Sequence, residues 1–342
     1  MKLKKMVAVL LTMAMVIGLM SGCGSKKQTA EPEEGAKKTE AAEGTETAKG
    51  KEEKPYIAMI ALGYGHQFWQ AVKSGAEKAA GDYGVRITFE GPEQETMVDK
   101  QVDMLKTALG NNPVAVCMAA IDTESVAGIL QEAKGKGIHV VGFDAGVGKE
   151  ESEAKCSTDS LAAGALAAEN VARILGEKGT IGVIGHSQTV IDAVQRVEGF
   201  KEKIKSDYPN IKIADIQYGE GDHLKSAEVA KSMVAANPDI QLIYTSNEGA
   251  CVGAYNGLKE AGKLDKVKLV GFDSSAAMKA AVKSGEIVGG ITQDPIGMGY
   301  KAVESAVKLM NGEKVESFID TGCYWYDSSN MNDEKIAPLL YD

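Results

Sequence analysis

Aromatic side chains are scarce in this sequence, 6 % of 342 residues with two tryptophans, while glycine numbers 39. That balance argues against an aromatic-rich β-sandwich and suits helices packed closely on sheets. Basic residues are in deficit, 38 Lys and Arg against 48 Asp and Glu, for a formal net charge of -10. Phosphate contacts need a basic face, so nucleic acid is excluded as a partner class. The four histidines, His66, His139, His186 and His223, show no metal-ligand spacing, and no metal site is expected. None of the five cysteines forms a C-x-x-C pair, which removes zinc and thioredoxin-like chemistry. Cys117 sits in the apolar run Val114-Ala115-Val116-Cys117-Met118 and reads as a core thiol. Cys156, Cys251 and Cys323 are likewise expected to be free and mostly buried.

The N-terminus has the three-part layout of a secretory signal. Lys2, Lys4 and Lys5 precede an apolar run at 6–20, about fifteen residues and too short to span a bilayer comfortably. Ser21 and Gly22 follow, then Cys23. The end, Leu19-Met20-Ser21-Gly22-Cys23, resembles a bacterial lipobox, with Met20 in place of the commoner leucine. The resemblance implies a signal peptide at 1–22 and a diacylglyceryl group on Cys23. Two acyl chains give stable anchoring where one is marginal. Residues 23–54 then form a tether: beyond Cys23 it has no aromatic residue and no hydrophobic one but alanine. Such a stretch cannot bury enough apolar surface to offset its chain entropy. The remaining 55–342 holds 28 basic and 40 acidic residues, a charge that argues for solubility and says little about a ligand.

From residue 55 onward the pattern alternates. Short apolar runs at 56–62, 85–89, 114–119, 138–143, 181–184, 211–216, 242–245, 268–272 and 288–291 predict buried strands. Helical periodicity begins at Phe68, Val72, Ala76, Ala79 and Tyr83. It continues at 96–109, 124–135, 160–176, 189–206, 223–236, 247–261, 275–284 and 295–311. Strand–helix alternation predicts α/β architecture: parallel sheets with helices on both faces. About ten strands exceed one such sheet, so two are expected. Val141-Gly142-Phe143-Asp144 recurs as Val270-Gly271-Phe272-Asp273, each copy ending a strand. The echo suggests two similarly wound lobes, each with an aspartate at a strand's carboxyl end, where ligands bind in open α/β sheets.

Enzyme motifs are near misses. Gly63-Tyr64-Gly65 opens like a dinucleotide fingerprint, but Phe68 stands where the third glycine belongs. Gly257 to Lys263 spells G-x-x-x-x-G-K, yet Leu264 replaces the hydroxyl that would bind Mg²⁺. Gly185-His186-Ser187-Gln188 begins like a nucleophile elbow and lacks its closing glycine at Thr189. No catalytic residue and no cofactor is assigned.

Several segments together resemble the ribose/galactose-type periplasmic binding proteins, the sugar receptors of ABC importers. They are 57–76, Arg196-Val197-Glu198-Gly199-Phe200, Tyr244-Thr245-Ser246-Asn247-Glu248, Val270-Gly271-Phe272-Asp273 and Ile291-Thr292-Gln293-Asp294-Pro295. The resemblance implies the type I fold: two Rossmann-like lobes joined by three crossing hinge segments. These would fall near Thr158–Asp159, Gln293–Asp294 and Thr321–Cys323. The lobes would be 55–158 plus 294–322 and 159–293 plus 323–342. Cys156 and Cys323 would then flank adjacent crossings as spatial neighbours.

The same resemblance assigns Phe68 and Trp69 to rings covering a sugar, and His66, Asp144, Arg196, Asn247, Asp273 and Gln293 to its hydroxyls. The chemistry agrees: rings suit C–H faces, and planar carboxylate, amide and guanidinium groups suit adjacent hydroxyl pairs. Each residue also has a structural alternative. Phe68 and Trp69 fit a core, Asp144, Asp273 and Asn247 fit helix N-caps, Arg196 a surface helix, Gln293 a loop, and His66 a solvated turn. Where family members often have arginine, small polar and aromatic residues, this sequence has Ala145, Leu62 and Gly221. The N-lobe half of the cleft is therefore expected to be less polar and roomier than in a ribose receptor. The expected function is a monomeric receptor, exported and held on the outer face of the cell membrane, that binds a monosaccharide or related polyol and delivers it to an ABC permease. A sensory receptor for a chemoreceptor or kinase and an exported α/β enzyme are the alternatives.

Overall fold

The chain, described over residues 53–341 by a computed structural model, begins with strand–helix units that need no long connection. Cys23, the signal segment and the tether up to residue 52 lie outside the described residues. The order runs β1 (Tyr56–Ile60), α1 (Gln67–Tyr83), β2 (Arg86–Glu90), α2 (Val98–Gly110), β3 (Ala115–Met118), α3 (Thr123–Gly135), β4 (His139–Phe143) and β5 (Ala154–Ser157). It continues with α4 (Ser160–Leu175), β6 (Gly179–Gly185), α5 (Ile191–Asp207), β7 (Ile211–Tyr218), α6 (His223–Ala236), β8 (Leu242–Thr245), α7 (Glu248–Glu260), β9 (Lys268–Phe272), α8 (Ala276–Ser284) and β10 (Gly289–Gln293). Last come α9 (Pro295–Met310), β11 (Phe318–Asp320) and β12 (Cys323–Asp327).

Two six-stranded sheets result, ordered β11-β5-β4-β3-β1-β2 and β12-β10-β9-β8-β6-β7. All pairings are parallel except β10 with β12. Helices cover both faces of each sheet, so its central strands are buried throughout and read as continuous apolar runs. The strands at 242–245 and 268–272 lie where the sequence predicts them. β5, β11 and β12 are additional, making twelve rather than about ten. β5 and β11 carry polar or exposed residues and lack an apolar run, whereas β12, Cys-Tyr-Trp-Tyr-Asp, has one buried residue, Tyr326, at the edge of its sheet.

The chain passes between the sheets three times, after β5, after β10 and between β11 and β12. Two of these passages double as helix starts. Asp159 accepts from the Ala162 backbone N–H and caps α4; Asp294 accepts from Gly297 N–H, with Pro295 at the first helical position, and caps α9. Caps of this kind satisfy otherwise orphaned donors. The first and third passages are tied together, because the Thr158 hydroxyl donates to the Gly322 carbonyl at 3.0 Å.

Cys156 lies 3.6 Å from the Ser305 hydroxyl in the core of the first sheet, whereas Cys323 packs on the core of the second. The four described cysteines are free, so no disulfide joins these two thiols.

Helices α4 and α5 approach through glycines. A Cβ on Gly164 would run into the Arg196 carbonyl, and one on Gly199 into the Leu161 carbonyl. This close crossing fixes the backbone of Arg196 above the second sheet. Gly164→Ala should force the helices apart and destabilise the protein by about 1–3 kcal/mol. Its urea midpoint should fall measurably, while Gly128→Ala, where the added methyl meets open space, should match or exceed the wild type.

Candidate functional site

The repeated tetrapeptide has a repeated backbone. Asp144 follows β4 with φ of 52° and Asp273 follows β9 with φ of 80°. Left-handed conformations are uncommon for residues with a Cβ and persist where surrounding structure holds them. Neither aspartate caps a helix: a turn and a loop follow Asp144, and Ser275 is the N-cap residue of α8. Their carboxylates instead enter a narrow cavity with about 20 Å³ of free space.

All eight residues singled out from the sequence, His66, Phe68, Trp69, Asp144, Arg196, Asn247, Asp273 and Gln293, line that one cavity. Both rings remain continuous with the core of the first sheet, edge to face at 4.9 Å. Core and cavity roles coexist there. Asn247 caps α7 through Ala250 N–H and still reaches the cavity. Arg196 is not a surface arginine, since it is 3 % exposed. Gln293 is the last residue of β10 rather than a loop amide.

Four polar residues were missed by sequence reasoning: Glu95, His186, Asp192 and Glu248. Asp192 precedes Arg196 by one helical turn, a spacing that puts both on one face of α5. Glu248 directly follows Asn247. The other two carry no local signal, because Glu95 lies in the loop after β2 and His186 follows β6. Of the four, only Glu95 belongs to the side expected to be less polar; His186, Asp192 and Glu248 belong with Arg196 to the elements of the second sheet. A Cβ on Gly221 would meet Glu95 and His186, so these two side chains fill the space beside that glycine.

Arg196 organises the network. Its guanidinium pairs with Asp192 Oδ2 at 2.7 Å, donates to Gln293 Oε1 and to the Ser246 carbonyl at 3.2 Å each, and stands 3.7 Å from Asp144 Oδ1. It also lies over the Phe272 ring at 4.2 Å. The Gln293 amide donates to Asp273 Oδ1 at 2.7 Å, and the Glu248 backbone N–H donates to Asp273 Oδ2 at 2.9 Å.

Other bonds join residues that follow strands of different sheets. His186 Nε2 stands 2.9 Å from Glu95 Oε2, while the Trp69 indole N–H donates to Glu95 Oε1 at 2.7 Å. Glu248 accepts from the Gln67 and Phe68 backbone N–H groups at the start of α1, a favourable place for a carboxylate. Ala276 N–H donates to Gln67 Oε1 at 2.9 Å. Among the described residues no cluster of His, Cys, Asp and Glu is arranged to hold a metal ion.

Burial raises the carboxyls of Asp273 and Glu248 above their ordinary range. Burial and the neighbouring Asp192 push Asp144 up to about 7 against the pull of Arg196. For Glu95, burial is outweighed by the charges of His66 and His186 and the bonds from His186 and Trp69, so its carboxyl lies well below the usual range. For His186, burial is outweighed by the Glu95 hydrogen bond and charge, and its pKa rises.

Residues 57–314 match the profile of a family described as periplasmic binding protein domain. The ribose import binding protein of Haemophilus influenzae is 30 % identical over 273 residues, covering 77 % of this chain and 88 % of that protein. The D-ribose/D-allose-binding protein of Pseudomonas aeruginosa is 25 % identical over 272 residues, covering 77 % and 85 % respectively. A solved ABC transporter solute-binding protein from Agrobacterium vitis, with bound D-fucose, superposes with a TM-score of 0.80 at 31 % identity, over 84 % of this chain and all of that one.

The Glu95–His186 pair sets a pH window for stability. The contribution of a histidine with a raised pKa is complete below its ordinary value of 6.5 and disappears as pH rises through the elevated one. The contribution of a depressed carboxyl is complete above its ordinary 4.5 and is lost as pH falls. Melting temperatures across about pH 4 to 9 should fall at both ends of that window. His186→Gln should flatten the alkaline fall, and an unchanged alkaline slope in that variant would remove the pair as its source.

Proposed function

Since the chain belongs to the periplasmic binding protein family, we propose that it captures a monosaccharide or related polyol between two lobes and delivers it to an ABC permease. The carrying observation is the convergence in one cavity of two aromatic rings with carboxylate, amide and guanidinium groups from residues beside both sheets. That composition suits a ring with C–H faces and a belt of hydroxyls. The similar proteins support the same reading, being named as sugar-binding proteins, one of them for ribose import, or solved with a sugar bound. None of those is named as an enzyme.

The first lobe comprises 55–158 with 294–322 and the second 159–293 with 323–342. Ligand touching both lobes favours the closed arrangement differentially, and the three passages supply the hinge. Phe68 and Trp69 cover the ring faces; Asp144, Arg196, Asn247, Asp273, Gln293 and His66 engage hydroxyls. The receptor acts as a monomer on the outer face of the membrane, held by lipidated Cys23. No helix among the described residues is long and apolar enough to cross a membrane.

Mass spectrometry of small molecules released on denaturing the purified protein tests the reading directly. A saccharide or polyol is expected, and repeated recovery of an unrelated ligand would sink it. With that ligand, or failing one a panel of pentoses and hexoses, Asp144→Ala should weaken binding about tenfold or more, on the order of 1.4 kcal/mol. Stability of the unliganded variant should hold or rise. A carboxyl pushed up by burial to about 7 costs stability above its ordinary pKa, and alanine relieves that cost.

Anchoring has its own measurement. Intact protein should partition into a detergent phase and Cys23→Ala into the aqueous phase. Equal partitioning of the two would remove the lipid anchor.

A further inference from the structure

The cavity holds one carboxyl group more than its own cations can balance. Five carboxylates line it: Glu95, Asp144, Asp192, Glu248 and Asp273. Its lining cations are Arg196 and, when protonated, His66 and His186. Lys155 acts on Asp144 and Asp192 from beyond ion-pair distance. His223, ring to ring with His66 at 5.5 Å, is pushed toward its neutral form by burial and by His66. With both lining imidazoles protonated and Lys155 counted, five carboxylates face four cations.

The shortfall is local. Glu95 has His186 and the Trp69 indole, Glu248 has two backbone N–H groups, and Asp273 has one N–H and the Gln293 amide. Asp144 and Asp192 differ. Asp144 has the Ala145 backbone N–H but no side-chain hydrogen-bond donor, and the guanidinium beside it stands off at 3.7 Å. Asp192 uses Oδ2 on Arg196, but its Oδ1 is buried without any partner, although the residue is 3 % exposed and lines the cavity. A buried acceptor left unmade is costly, and a buried uncompensated carboxylate more so.

Resting on the reading of this cavity as a monosaccharide site, we propose that its ligand carries an ammonium group, as in an amino sugar or aminated polyol, with the nitrogen docked between Asp144 and Asp192. A hydroxyl offers one proton and brings acceptor lone pairs toward the carboxylates. An ammonium offers three protons and no lone pair, and its charge completes the balance. The carboxyl of Asp144, raised to about 7 by burial and by Asp192, holds a proton where the ligand would supply a cation.

The test is calorimetric titration of the full-length protein in detergent near pH 6.5, where amino sugars are largely protonated. D-Glucosamine, D-galactosamine and D-mannosamine are compared with glucose, galactose and mannose and with the N-acetylated forms. At least one amine should bind about tenfold or more tightly than both its neutral counterparts. Asp192→Asn should shrink that ratio to within about threefold, the amine losing more affinity than its neutral counterparts. Should that variant fold poorly, Asp192→Glu, which keeps the charge, should keep the preference, and the wild-type ratio alone still decides. Neutral sugars binding as well as the amines would overturn the ammonium inference and leave the monosaccharide reading standing. If no compound of any series binds, the inference falls, and the identity of the ligand released on denaturation then shows whether the saccharide reading falls with it.

Discussion

A guanidinium buried among carboxylates is the interaction on which the rest of the site depends. Arg196 reaches Asp192 on its own helix, Asp144 beyond β4, Gln293 at the end of β10 and the Ser246 carbonyl after β8. Its planar fork can serve several acceptors at once, which an ammonium on a flexible stem does less well. Taking such charges out of water costs several kcal/mol per ion, and only well-made pairs offset it. The fold meets that condition upstream, by letting α4 and α5 approach at Gly164 and Gly199 so that Arg196 is held in place. Helix packing and cleft chemistry are thus coupled at one residue.

How much of this was legible in the sequence varies with the physical signal. Central strands buried on both faces announce themselves as apolar runs, as at 242–245 and 268–272. Edge strands do not: β11 is three residues with two exposed, and β12 alternates around the single buried Tyr326. The repeated Val-Gly-Phe-Asp pointed to both cavity aspartates, and the structure adds that each has a positive φ. Glu95 and His186 were beyond reach, because each is an ordinary loop residue until two different sheets bring them to 2.9 Å. Beside Gly221 the space that a side chain would take is occupied by Glu95 and His186. A missing side chain reads as space in one dimension, and in three dimensions that space belongs to its neighbours.

The hinge shows a similar economy. Asp159 and Asp294 each end one passage between sheets and cap the helix that follows. The rigid elements therefore begin at the residue where each passage stops, which confines bending to the short stretches outside the helices. Thr158 bonded to Gly322 then makes two of the three passages move together.

The bonds spanning the cleft carry a consequence for transport. His186 with Glu95, Glu248 with the start of α1 and Gln67 with Ala276 are made wholly between protein groups. Their contribution to closure is the same whether the cavity is filled or not. Strengthening them raises apparent affinity, because a larger fraction of molecules already has the binding-competent shape. It also raises the fraction of closed receptors with no cargo, and an importer that recognises closure would accept those as readily as loaded ones. In a receptor of the proposed kind, capture at low ligand concentration and idle traffic at the permease would therefore be set by the same few bonds, and neither could be tuned without moving the other.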